Sequence, residues 1–184
     1  DGAINQGVFH EALNLAALYK LPVVFICENN LFAMGTSVKR STSLKQIVDR
    51  AEGYDIHGEV VDGMNFREVR DRLAEIVASI RKDPHPAFVE VRTYRYRGHS
   101  MSDPASYRTK AELEKYRLDD PITRLRAQPT REGKLTNEDF DQMDKRAKEI
   151  ALASVKFAEE SPEPPLEDLY KYTYANGEEA GASK

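Results

Sequence analysis

The sequence predicts an α/β fold: a doubly wound parallel sheet, incomplete at its amino-terminal side, followed by a helical carboxy-terminal extension. Two observations carry this expectation. Over the first half of the chain, segments with helical apolar spacing alternate with short apolar runs, in the order helix, strand, helix, strand, helix, strand. The run Val23-Val24-Phe25-Ile26-Cys27 lacks polar alternation, as expected of a strand buried on both faces of a parallel sheet.

The first helix is predicted over residues 5–20, because Val8, Phe9, Ala12, Leu13, Ala16 and Ala17 recur at helical spacing and Pro22 follows. The strand 22–27 comes next, closed by the polar residues Glu28, Asn29 and Asn30, with residues 32–36 continuing as a loop. A short helix is expected over 43–52, a short strand over 59–61 and a turn at Asp62-Gly63. Phe66, Val69, Leu73, Ile76, Val77 and Ile80 trace one stripe, so residues 65–82 form an amphipathic helix capped near 62–65. After Pro84 and Pro86 a strand is predicted over 87–92. Residues 93–108 are polar, aromatic and irregular, which fits a long functional loop. Short helices follow over 110–116 and 121–127, then a long one over 137–160 with Phe140, Met143, Ala147, Ile150 and Phe157 inward. The expected division is therefore a core over 1–127, a helical extension packing on it over 128–174, and a tail over 175–184 with the composition of a disordered segment.

At 184 residues, 40% hydrophobic and 32% charged, the chain has the balance of one substantial globular domain. A net charge of -4, with basic and acidic residues interspersed, gives no footprint for nucleic acid or acidic membranes, so partners should be proteins or small molecules. The single cysteine, Cys27, cannot form an internal disulfide and suits a reducing compartment, the cytoplasm or the mitochondrial matrix. No apolar run reaches the roughly 20 residues needed to span a bilayer. The opening Asp1-Gly2-Ala3 reads as the tip of a strand-to-helix turn, so the chain is expected to be a fragment. Neither a Gly-x-Gly-x-x-Gly nor a Gly-Lys-Ser/Thr loop is present, which disfavours a nucleotide-binding protein.

Asp1-Gly2 and Asn29-Asn30 flank one helix and one strand, and in a parallel sheet both fall at the carboxyl edge, where loops converge on ligands. Asp1, the amide oxygen of Asn30 and the backbone carbonyl of Phe32 are hard oxygen donors suited to Mg2+. Gly2 allows close approach of the backbone, and the helix that follows presents its amino end to an anion. The residue types alone leave open a plainer reading in which Asp1 caps a helix and Asn30 makes a turn. His10, His57 and His85 fit packing or surface roles, and Glu11 and Glu28 structural ones.

A resemblance adds to this. Asp1-Gly2-Ala3 with Asn5-Gln6-Gly7, then Glu28-Asn29-Asn30, resembles the second half of the thiamine diphosphate motif. Residues 1–36, Tyr94-Arg95-Tyr96-Arg97-Gly98-His99-Ser100-Met101-Ser102-Asp103-Pro104, Ser106-Tyr107-Arg108 and Pro162-Glu163-Pro164-Pro165 are similar to the alpha subunits of thiamine diphosphate-dependent 2-oxo acid dehydrogenases, above all the pyruvate-specific branch. The resemblance covers nearly the whole chain and implies the thiamine diphosphate-binding fold. It implies Asp1, Asn30 and the Phe32 carbonyl as Mg2+ ligands, Gly2, Ala3, Asn30 and His99 at thiamine diphosphate, and His99 as the catalytic group. The family often has tyrosine where this chain has Phe32. Ser100 and Ser106 fall where mitochondrial relatives are phosphorylated. The partners implied are a beta subunit, a second alpha subunit, and a lipoyl domain on an acetyltransferase core, with pyruvate as substrate. Acetoin or branched-chain 2-oxo acids remain open as substrates, as does a non-catalytic assembly module, and the chain alone is expected to be inactive.

Overall fold

The computed structural model describes residues 1–172. The described residues divide into two compact units, 1–134 and 135–172. The first contains a parallel sheet of three strands, β1 (Val24–Asn29), β4 (His57–Asp62) and β5 (Ala87–Arg92), in the order β1-β5-β4. Val24 and His57 both pair with Ala87 at one end, and Asn29 and Asp62 both pair with Arg92 at the other. All three carboxyl ends therefore lie on one edge, and the central strand is the last in sequence.

Helices cover both faces of this sheet. α1 (Gly7–Leu18) follows a short 3-10 turn at Ala3–Asn5, and with a 3-10 helix at Ile47–Tyr54 it packs on one face. There Ile4, Leu13, Cys27, Ile47, Ala51, Ile56 and Phe88 form a buried cluster. The opposite face carries α3 (Phe66–Lys82), whose Ile76 and Ile80 join Val61, Ala87, Val89 and Val91. Successive β5 residues thus serve opposite layers, as strand geometry requires. Cys27 is buried with a free thiol, and burial pushes that thiol above its ordinary pKa.

The α/β class and parallel sheet agree with the expectation, and several local details differ. Of the residues at helical spacing in α1, Leu13 and Ala16 are buried, whereas Val8 is exposed along with Leu15 and Leu18. β1 continues through Glu28 to Asn29, so polarity did not end it. The expected loop at 32–36 contains a hairpin, β2 (Phe32–Ala33) with β3 (Thr36–Ser37), whose strands are too short to show alternation in sequence. The single helix expected over 43–52 is replaced by α2 (Val38–Ser41) and the later 3-10 helix, which ends at Asp55 in the left-handed region. Gly58 explains the tight fit of that 3-10 helix, since a Cβ there would lie 2.8 Å from Val48 Cγ2.

α4 (Lys110–Arg117) and α5 (Pro121–Arg131) complete the first unit. In the second, α6 (Asn137–Glu160) begins with a capping box made by Thr136 and Asp139. Met143, Ile150 and Phe157, expected inward, are exposed at 52%, 62% and 74%. Within that unit only the four-residue α7 (Asp168–Lys171) accompanies α6 among the described residues, too little to cover a 24-residue stripe. The predicted tail at 175–184 lies outside the described residues. Among the described residues, no helix is long and apolar enough to cross a membrane.

Candidate functional site

The carboxyl edge of the sheet gathers three segments: the turn at Asp1–Ala3, the turn after β1, and the loop after β5. Asn30 N donates to Asp1 Oδ1 at 3.3 Å, which closes the first segment onto the second. Asn30 Oδ1 in turn accepts from Phe32 N at 3.4 Å, folding residues 30–32 into a tight turn with Leu31 at φ 75°. Behind Asp1, a Cβ on Gly2 would lie 2.7 Å from Ala33 Cβ, so only glycine permits this approach to the hairpin. Asp1, Gly2, Asn30 and Phe32 are thus brought to one corner, and Ala3 opens the 3-10 turn beside them.

That turn is held from below by Arg50. Its Nη1 donates to Ile4 O at 3.1 Å and its Nη2 to Asn5 Oδ1 at 2.6 Å. His10 Nε2 lies 3.0 Å from Arg50 Nη1, and its Nδ1 lies 2.7 Å from Tyr54 Oη. With Arg50 donating to Nε2, the imidazole carries its proton on Nδ1 and donates to Tyr54. His10 thus ties α1 to Arg50 and Tyr54 of the 3-10 helix. His57 and His85 stand elsewhere, beside a small concavity that includes Glu59 and Arg72.

His99 arrives on the loop after β5, and its imidazole makes no hydrogen bond to another described residue. Its backbone N–H donates to Asp103 Oδ2 at 2.7 Å, Ala105 N donates to Asp103 Oδ1 at 2.8 Å, and Tyr107 Oη donates to Asp103 Oδ2 at 2.9 Å. The backbone N–H groups of His99 and Ala105, with the Tyr107 hydroxyl, hold the Asp103 carboxyl below its ordinary pKa. Tyr107 also packs on Phe32, with ring centroids 5.1 Å apart, and against Gly35, where a Cβ would lie 3.1 Å from Tyr107 Cδ1. The loop is therefore fastened to the same hairpin that carries Phe32. Its base is fixed by Arg108, which donates to the carbonyls of Arg95 and Tyr96, and by Tyr94 stacked on Tyr116 at 3.8 Å. Ser100 and Ser106 are both exposed on this loop.

Sequence reasoning missed the support beneath the corner. Glu90, at the centre of β5, is 1% exposed and accepts from Asn29 Nδ2 at 2.9 Å, Val48 N at 3.0 Å and Arg92 Nε at 3.0 Å. Burial raises its pKa, but these donors outweigh burial and hold the carboxyl below its ordinary value. An acid inside an otherwise apolar strand was the available signal, since a buried charge needs partners. Tyr107 and Asp103 were quoted within motifs without a role; neither carries a sequence signal that separates it from other polar loop residues.

The corner offers one carboxylate, one amide oxygen and the carbonyls of a tight turn, a hard-oxygen set that fits Mg2+. Asp1 Oδ2 makes no hydrogen bond among the described residues, and the missing Cβ of Gly2 lets the turn close on Ala33. A concavity of about 710 Å3 lies between the start of α3 and α5, lined by Phe66, Leu118 and Arg124.

The family model for the dehydrogenase E1 component matches residues 1–167. The chain is 45% identical over 174 residues to the pyruvate dehydrogenase E1 component subunit alpha of Rickettsia bellii, covering 95% of this chain and 53% of that protein. It is 46% identical over 171 residues to the subunit of the same name from Rhizobium meliloti, covering 92% and 49%. To the somatic, mitochondrial form from Sus scrofa it is 43% identical over 178 residues, covering 96% and 45%. The chain spans about half the length of the curated relatives it matches. With the family model spanning residues 1–167, which include the whole carboxyl-edge corner, the chain belongs to the dehydrogenase E1 component family.

Proposed function

We propose that this chain supplies the Mg2+- and diphosphate-binding part of a thiamine diphosphate site in an E1 enzyme that decarboxylates pyruvate and passes the acetyl group to a lipoyl domain. The observation that supports it most is the closure of Asp1 onto Asn30 with Gly2 against the β2–β3 hairpin, at the carboxyl edge of a parallel sheet. Asp1, Asn30 Oδ1 and the Phe32 carbonyl would hold Mg2+, and Gly2, Ala3 and Asn30 would contact the diphosphate. When bound, thiamine diphosphate supplies the carbon nucleophile and the electron sink that 2-oxo acid decarboxylation requires.

The chain's own residues bind and orient. Asp1 supplies negative charge to the metal, and the backbone at Gly2 and Ala3 offers N–H donors to phosphate oxygens. His99, on the fastened loop, donates a proton or hydrogen bond to charge developing on the substrate side. A beta subunit completes the site and a second alpha subunit joins the assembly, so this chain alone is inactive. Phosphate on Ser100 or Ser106 would place negative charge beside an anionic cofactor and substrate and lower activity.

The test is turnover of the full-length alpha–beta assembly with pyruvate, a branched-chain 2-oxo acid and acetoin, using an artificial electron acceptor. Turnover with pyruvate that exceeds the other two and falls on His99→Ala supports the reading. No turnover with any of them would leave an assembly module as the better account.

A further inference from the structure

We propose that Glu90 is a positioning residue for the metal-binding corner: through Asn29 it fixes the left-handed turn at Leu31 that presents Asn30 and the Phe32 carbonyl. The inference rests on the reading that Asp1, Asn30 and Phe32 hold Mg2+.

The connection is a single side chain with both ends committed. Asn29 is 5% exposed. Its Nδ2 donates to Glu90 Oε1 at 2.9 Å, and its Oδ1 accepts from Leu31 N at 3.1 Å. Leu31, at φ 75°, occupies a backbone region that residues with a Cβ rarely adopt, so the turn needs an outside constraint. The Asn29 amide supplies it only while its orientation is fixed. Glu90 fixes that orientation because a carboxylate can accept from Nδ2 and cannot donate, which excludes the flipped amide. The carboxylate is itself immobilised by Val48 N at 3.0 Å and Arg92 Nε at 3.0 Å, the latter tied to Gln46 Oε1 by Nη2 at 3.0 Å. The chain of contacts runs from the central strand to Asn29, to Leu31 N, and so to the two candidate ligands on either side of Leu31.

Packing alone does not call for an acid here. The neighbouring β5 residues Phe88, Val89 and Val91 are apolar and buried, and a charge in their midst costs desolvation that the donors of Asn29, Val48 and Arg92 must offset. Partners that orient metal ligands from behind typically change metal affinity when removed, even though they never touch the ion.

The experiment is calorimetric titration of Mg2+ into the full-length alpha–beta assembly at saturating thiamine diphosphate, in four forms. Glu90→Gln puts a donor where an acceptor is needed and is expected to raise the apparent Kd for Mg2+ about tenfold. Asn29→Asp combined with Glu90→Gln exchanges acceptor and donor, re-forms the pair with the same net charge, and is expected to return the Kd to within about threefold of wild type. Val89→Ala weakens the same strand without touching Asn29 and is expected to leave the Kd within about twofold of wild type while lowering the melting temperature. Wild-type Kd in Glu90→Gln, or an equal loss in Val89→Ala, would show Glu90 to be structural only. Failure of the double variant to bind Mg2+ overturns the proposal whether or not the single variant assembles. Absence of Mg2+-dependent binding in wild type removes the underlying metal reading as well.

Discussion

At Gly2 the available space is set by one methyl group, that of Ala33. A Cβ there would sit 2.7 Å from Ala33 Cβ, so Gly2→Ala must displace the β2–β3 hairpin. The expected cost is about 1–3 kcal/mol, as for other overpacked contacts. Adding Ala33→Gly should recover most of it, which urea denaturation of the two variants would check; equal loss in both would place the strain elsewhere. Glu90 gives a pH signature. Its folded pKa is lowered by Asn29, Arg92 and Val48, so its contribution to stability is complete above the ordinary value of about 4.3 and is lost as pH falls through the lowered folded value. The stability difference between wild type and Glu90→Gln, followed by urea midpoints from roughly pH 6 down to pH 3, should therefore shrink with acid. A difference that grows with acid would have the wrong sign for this network.

Among the elements, the best-marked boundaries were those with chemical punctuation. β5 follows Pro84 and Pro86 and falls where expected, at Ala87–Arg92. α6 runs from the Thr136 cap to Ser161 before Pro162, again where expected. What such marks do not encode is the neighbour. The α6 stripe has helical spacing whether or not anything covers it, and Val8 shares the spacing of Leu13 and Ala16 while facing outward. Of the helix expected over 43–52, the part that forms is the 3-10 stretch at Ile47–Tyr54, whose Val48 and Ala51 lie close against Gly58. That Asp1, Asn30 and Phe32 share one edge was legible because two strand ends converge there by topology, while their reading as metal ligands came from the resemblance. Glu90 and Tyr107 were not, because their roles arise from contacts between residues far apart in sequence. The capping box gives an element-scale test. Thr136 Oγ1 accepts from Asp139 N at 3.1 Å while Thr136 N donates to Asp139 Oδ2 at 2.7 Å. Thr136→Ala should lower the stability of α6 by about 1 kcal/mol, read as a fall in helical circular dichroism on heating. No change would mean that the helix start is held by contacts outside the box.

On the scale of the molecule, the first unit sets a rigid parallel sheet beneath three loops at one edge. The sheet supplies position and the loops supply donors, the usual division of labour in open α/β folds. α1 leaves Leu15, Leu18 and Tyr19 exposed, and Ile26 on β1 is half exposed, so apolar surface flanks the corner on the β1 side. Such surface fits burial by the rest of a larger assembly, in keeping with relatives about twice as long as this chain. If the Asp1–Asn30 corner holds Mg2+ and the cofactor diphosphate, as proposed, cofactor binding depends on both the ion and Asn30. The most direct measurement is calorimetric titration of thiamine diphosphate with and without Mg2+ into the full-length alpha–beta assembly, wild type against Asn30→Ala. Binding that requires Mg2+ and is abolished by Asn30→Ala is the predicted result; binding that survives the substitution unchanged would contradict it.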